Sequence, residues 1–156
     1  MPEAGTTDHV EQRVQIIGRV AQPLSISSTA LRAMDTVDTG TLPMICGSGE
    51  PKGKIGNCRG VLLAELINLA EVVIKAHNDT KKMIVVVASD DGYKTVFSWQ
   101  EIFNSINGEG ILVILEKDGQ PLYQGNGEVD LISSRDHLTG PRYVRRLKTI
   151  EIIMVE

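Results

Sequence analysis

Three stretches of this chain carry side chains that could do chemistry, and the first is centred on Cys46. It ends an apolar run, Leu42-Pro43-Met44-Ile45, and opens a small, polar one, Gly47-Ser48-Gly49-Glu50-Pro51-Lys52-Gly53. Backbone with few Cβ atoms lets a ligand or a metal approach a thiol closely. Lys52, Lys54 and Arg59 follow, and cations brought near a thiol in space favour its thiolate. The plainer reading is a small hydrophobe at the end of a strand, since free cysteines are among the most buried residues.

The second stretch is Ser133-Ser134-Arg135-Asp136-His137-Leu138-Thr139-Gly140-Pro141-Arg142-Tyr143-Val144-Arg145-Arg146, which joins hydroxyls, a Gly-Pro turn and four arginines. Planar guanidinium groups with hydroxyl and backbone donors suit a phosphate, a carboxylate or a heterocyclic carbonyl. A solvated basic loop on an acidic protein has the same composition. The third stretch is Ser89-Asp90-Asp91-Gly92-Tyr93. A carboxylate there can accept two hydrogen bonds side by side from an aminopyrimidinone edge, and an aromatic ring can cover its face. It is also good chemistry for a tight turn. Glu50, close to Cys46, rivals Asp91 for the carboxylate role.

The rest of the composition narrows the classes of function. A chain of 156 residues is one domain's worth. A net charge of −4 gives no electrostatic reason to expect nucleic acid or an anionic membrane as partner. No apolar run approaches the length of a membrane span, so direct membrane insertion is not expected. Two cysteines, Cys46 and Cys58, make no disulfide framework and have no CxxC spacing. His9, His77 and His137 are scattered, which gives no zinc-type pattern.

These groups need elements to position them. Residues 1–11 are polar and acidic and read as a disordered N-terminus without a signal-peptide core; residues 12–156 read as the domain. Alternation over residues 12–20 predicts a strand, Pro23 interrupts it, and Leu24-Ser25-Ile26 resumes extended structure. Ser27 or Ser28 can cap a short helix, a loop runs to Gly40, and a strand ends at Cys46. Apolar spacing over residues 61 to about 76 predicts the longest helix. Residues 83–88 are apolar on both faces, as in a central strand. Asp90-Asp91-Gly92 then turns into a return strand at Tyr93-Lys94-Thr95-Val96-Phe97, and Ser98-Trp99-Gln100-Glu101 is a capping box for another short helix. Turn signals at Asp118-Gly119 and Asn126-Gly127 mark two more hairpins around strands at 111–116 and 129–132. A last strand covers residues 149–155. The order implies a mixed, β-rich α+β fold.

Taken together, the segments resemble the sulfite-oxidase-type molybdopterin-binding domain. The resemblance is carried by Val14-Gln15-Ile16-Ile17-Gly18-Arg19-Val20-Ala21-Gln22-Pro23-Leu24, by Leu31-Arg32-Ala33-Met34, by residues 46–63, by Ala88-Ser89-Asp90-Asp91-Gly92-Tyr93, and by Val144-Arg145-Arg146-Leu147-Lys148-Thr149-Ile150-Glu151-Ile152. It covers about residues 12 to 153. Enzymes of that family usually carry a Trp-x-Gly-Val pattern where this chain has Cys58-Arg59-Gly60-Val61. They often have a second aromatic where it has Arg146. The chain is similar to a stripped core of the fold, and in that it most resembles small stand-alone pterin-binding signalling proteins (PruR-like).

The resemblance implies a pocket lined by Cys46, Gly47, Ser48, Glu50, Asp91, Tyr93, Ser134, Arg135 and Arg142 that holds a reduced pterin without metal, in a non-catalytic sensor. Arg135 and Arg142 would meet the pterin carbonyl or side-chain hydroxyls, and Asp91 or Glu50 the amino edge. It implies a membrane-bound signalling protein as partner and, for a trimmed mature chain, the bacterial periplasm; without trimming, the sequence reads as cytoplasmic. The alternative is a molybdenum oxidoreductase in which Cys46 is a thiolate ligand of the molybdenum cofactor and the arginine loop holds its phosphate.

Overall fold

Alternating residues build the first strand of the computed structural model, which describes residues 12–45 and 51–156. The N-terminus expected to be disordered, and Cys46, Gly47, Ser48 and Glu50 with it, lie outside the described residues. Strand β1 (Arg13–Gly18) buries Val14 and Ile16 and leaves Gln15 exposed. Beyond Pro23, β2 (Leu24–Ser27) pairs antiparallel with it. The Ser27 hydroxyl accepts from the Ala30 N–H at 3.1 Å and caps α1 (Ser28–Arg32). Strand β3 (Val37–Ile45) begins where the sequence reads as loop, and pairs antiparallel with β4 (Pro51–Leu62). Next come α2 (Leu63–Leu69), β5 (Met83–Ser89), β6 (Lys94–Ser98) and α3 (Trp99–Phe103). The chain finishes with β7 (Ile111–Lys117), β8 (Gln120–Pro121), β9 (Asp130–Ser133) and β10 (Leu147–Met154).

Among the described residues, two five-stranded sheets result. One has the order β2-β1-β10-β5-β6, with β1 and β10 parallel and its other pairs antiparallel. The other has the order β3-β4-β7-β8, with β9 also on β7. Val14, Ile16, Val85, Val87, Ile150 and Ile152 of the first sheet pack in one core with Val61, Ile111, Val113, Leu115 and Leu131 of the second. The opposite face of the second sheet buries a smaller cluster, Cys58, Leu112, Ile114, Ile132 and Tyr143. Strand β7, with its alternate residues in the two clusters, is therefore covered on both faces. In β5, predicted to be so covered, Ile84 and Val86 are only half-buried. The architecture is the mixed, β-rich α+β class that the sequence implies.

The long helix predicted over residues 61–76 is the main correction. Val61 and Leu62 complete β4, paired to Val113 and Leu112 of β7, and only residues 63–69 are helical. Gly60 shows why: a Cβ there would stand 2.1 Å from the Val113 carbonyl oxygen, so the glycine serves a close strand contact. Past α2, Glu71 takes φ of 56°, and Val20 and Val72 form a short antiparallel bridge. The Lys75 and Ala76 N–H groups donate to Asp79 at 2.9 and 3.0 Å in place of helix bonds. Asn126-Gly127 does not close a hairpin either, because β9 pairs with β7 and not with its predecessor β8.

Candidate functional site

The turn between β5 and β6 fixes a carboxylate at the edge of the first sheet. The Ser89 hydroxyl donates to Asp91, and the Tyr93 N–H is shared between Asp91 Oδ1 and Ser89 Oγ, at 3.1 Å to each. The Ser89 hydroxyl first, and then the Tyr93 N–H, hold the Asp91 carboxyl below its usual range. Gly92, at φ of 95°, provides the left-handed step of the turn. The arginine-rich connection between β9 and β10 meets this turn twice. The half-exposed Tyr93 gives its phenol proton to the Pro141 carbonyl, and the Asp90 N–H donates to the Arg146 carbonyl at 3.1 Å.

Between them lies a cleft of about 330 Å³, lined by Ser89, Asp91, Tyr93, Gly140, Tyr143 and Arg145. A second lobe of about 340 Å³ shares Tyr143 and Arg145 and is completed by Lys117, Tyr123, Asp130 and Arg146. The chain has three tyrosines, and all of them line the two lobes.

Asp130, only 4% exposed, organises the second lobe. Its Oδ1 accepts from the Tyr123 hydroxyl at 2.7 Å and from the Arg146 N–H at 3.0 Å, and its Oδ2 accepts from the Tyr143 hydroxyl. Burial, and then the Asp130 charge and hydrogen bond, push the Tyr143 phenol far above its ordinary pKa. Burial and the bond to Asp130 raise Tyr123 likewise. Tyr123 and Arg146 both have left-handed backbone, at φ of 52° and 47°, a conformation that side chains other than glycine hold only when their surroundings insist. The Arg146 guanidinium stacks 4.5 Å from the centre of the Tyr123 ring and pairs with Glu128 at 2.8 Å. Lys117 Nζ lies 5.9 Å from the centre of the Tyr143 ring. Arg145 is exposed and has no hydrogen-bond or ion-pair partner among the described residues.

Of the residues singled out in the sequence, Asp91 and Tyr93 share this cleft. Ser134 and Arg135 point elsewhere, onto the turn at Ile106–Gly110: the Ser134 hydroxyl donates to the Gly110 carbonyl at 2.7 Å, and Arg135 to the Ile106 carbonyl at 2.9 Å. Arg142, expected to meet a ligand, is occupied. Its Nε and Nη2 donate to the two Asp136 oxygens at 2.9 and 2.8 Å. Its terminal nitrogens also reach Glu101 at 3.2 and 3.0 Å and the Val96 carbonyl at 3.1 Å. That accounts for all five donors of a guanidinium, which also lies 4.2 Å from the centre of the Phe97 ring. Cys58 is a buried free thiol whose pKa is raised by that burial, the opposite of a reactive thiolate.

Tyr143 and Arg145 lie within the second stretch of the sequence but are not among its expected ligand contacts, and Asp130, Tyr123 and Lys117 lie outside all three stretches. Asp130 had a usable signal, as one acid between the apolar residues Val129 and Leu131. Among the described residues, no group of three or more His, Cys, Asp or Glu side chains stands close enough to hold a metal.

No protein-family model matches the chain, and no curated protein sequence matches it. Among solved structures, the fold is similar to that of the sulfane dehydrogenase SoxCD from Paracoccus pantotrophus, with a TM-score of 0.66 at 16% sequence identity. The match covers 90% of this chain and 38% of the SoxCD chain, so the chain spans well under half of that neighbour. The likeness is one of fold, and the domain is sulfite-oxidase-like in architecture.

Proposed function

We propose that this chain binds a free, reduced pterin in the cleft between the 89–93 turn and residues 140–146, as a non-catalytic module. The observation that carries the reading is the meeting, around one slot of about 330 Å³, of an ionised carboxylate, two tyrosines and a guanidinium that has no hydrogen-bond or ion-pair partner among the described residues. A pterin is a flat bicycle with an amino edge and a carbonyl. Asp91 supplies the acceptor for the edge, Arg145 the donor for the carbonyl, and Tyr93 and Tyr143 the aromatic surface. Arg142 and Arg135 take a supporting role in this reading, holding the loop rather than the ligand.

The same donor set fits the pterin end of a molybdenum cofactor, whose metal would call on Cys46. Protein purified from its native host and denatured should release a reduced pterin, detected by its fluorescence after oxidation with iodine, in about equimolar amount, with no stoichiometric molybdenum by elemental analysis. Stoichiometric molybdenum would defeat the reading and favour the oxidoreductase; the absence of both, together with no saturable uptake of pterin by the purified protein, would defeat pterin binding altogether. A non-catalytic binder needs a listener, and we place that role with a membrane-bound signalling protein, in the bacterial periplasm. Among the described residues, no helix is long and apolar enough to cross a membrane.

A further inference from the structure

The direction of the phenol protons has a consequence for what the cleft can recognise. A tyrosine hydroxyl has one proton to donate. In Tyr143 and Tyr123 that proton goes to the buried carboxylate of Asp130, and in Tyr93 it goes to the Pro141 carbonyl. Any hydrogen bond that these phenols make with an occupant, they therefore make as acceptors. Burial and the neighbouring negative charge keep Tyr143 and Tyr123 protonated, which fixes this polarity.

We infer that Asp130 is a specificity-determining positioning residue: by taking its phenol proton, it turns Tyr143, which lines both lobes, into an obligate acceptor and biases the slot toward heterocycles that present N–H groups, while Tyr123 in the second lobe is held in the same polarity. Its reach extends to both walls. Asp130 Oδ1 holds the Arg146 N–H, the Arg146 carbonyl holds the Asp90 N–H of the turn opposite, and Arg145 is the next residue along. The inference rests on the pterin reading above and sharpens it. Two ring nitrogens that accept hydrogen bonds in an oxidised pterin become N–H donors in the tetrahydro form, so a phenol oxygen that can only accept favours the reduced ring.

An asparagine at 130 distinguishes this role from scaffolding. Its carbonyl oxygen must stay where Oδ1 is, facing the fixed Arg146 N–H. Its amide nitrogen then falls at the Oδ2 position and donates to the Tyr143 oxygen, which frees the phenol proton to point into the cleft. Tetrahydrobiopterin and biopterin, which differ in ring oxidation and share a side chain, are the probes, titrated anaerobically into wild type, Asp130→Asn and Tyr143→Phe. Wild type should prefer the reduced form by about tenfold or more in Kd, and both variants should bring the two affinities to within about threefold. Equal affinities in wild type would overturn the inference. So would a variant that weakens both ligands alike and keeps their ratio, for that is what a merely structural Asp130 does. Should Asp130→Asn fail to fold, Tyr143→Phe decides alone by the same ratio. If neither compound binds wild type, the pterin reading itself has failed, a result distinct from the other two.

Discussion

Two arginines three residues apart show how little residue type alone says about role. Arg142 gives its donors to Glu101, Asp136 and the Val96 carbonyl, and it is only 22% exposed. Arg145 stands in the cleft with no acidic partner among the described residues. Arg142→Ala leaves two partly buried carboxylates without their cation, and urea unfolding should show a loss of about 3 kcal/mol. Lysine recovers little of it, because an ammonium lacks the fork that serves both acids. Arg145→Ala should unfold within about 0.5 kcal/mol of wild type, yet bind pterin about tenfold more weakly by titration. An Arg145→Ala protein that keeps full affinity would remove the guanidinium from the proposed ligand contacts.

Elements with a local cause were legible in the sequence. The Ser98 hydroxyl accepts from the Glu101 N–H at 3.0 Å while the Glu101 carboxylate accepts from the Ser98 N–H at 2.9 Å, the two-way capping that Ser-x-x-Glu announces. The 89–93 turn and the Ser27 cap are equally local. Elements decided by distant partners were not. The spacing of residues 61–76 fits a helix, and only the pairing of β4 with β7 makes Val61 and Leu62 extended. The site divides the same way: Asp91 and Tyr93 sit in a turn that the sequence declares, whereas Tyr143 and Asp130 become a site only when β9 and the returning chain bring them together. Gly60 tests this account. At the start of a helix, alanine in its place would stabilise or change little. In the strand its Cβ meets the Val113 carbonyl at 2.1 Å, and Gly60→Ala should cost about 3 kcal/mol in a denaturant titration, through overpacking against backbone that cannot move aside.

For the whole molecule, opposite pKa shifts bound the range of pH over which it is most stable. Backbone hydrogen bonds from Lys75 and Ala76 hold Asp79 below its usual range, and the Ser89 hydroxyl and Tyr93 N–H do the same for Asp91. Burial pushes Glu101 up, but hydrogen bonds from Arg142 and the Ser98 N–H outweigh it and the net shift is down. A carboxyl lowered in the folded state contributes stability that is whole above its unfolded pKa, about 4, and is lost as pH falls through the folded value. Tyr143 and Tyr123 are shifted upward, so the unfolded chain ionises first; their contribution is whole below about pH 10 and declines as pH rises past it. Melting temperature against pH should therefore be flat between about pH 5 and 9 and fall on both sides. Phenylalanine ionises in neither state, so Tyr143→Phe should make the alkaline fall shallower than in wild type and leave the acid limb unchanged in shape. An alkaline limb as steep as wild type's would mean that the Tyr143 phenol titrates alike in both states, and that Asp130 does not hold its proton.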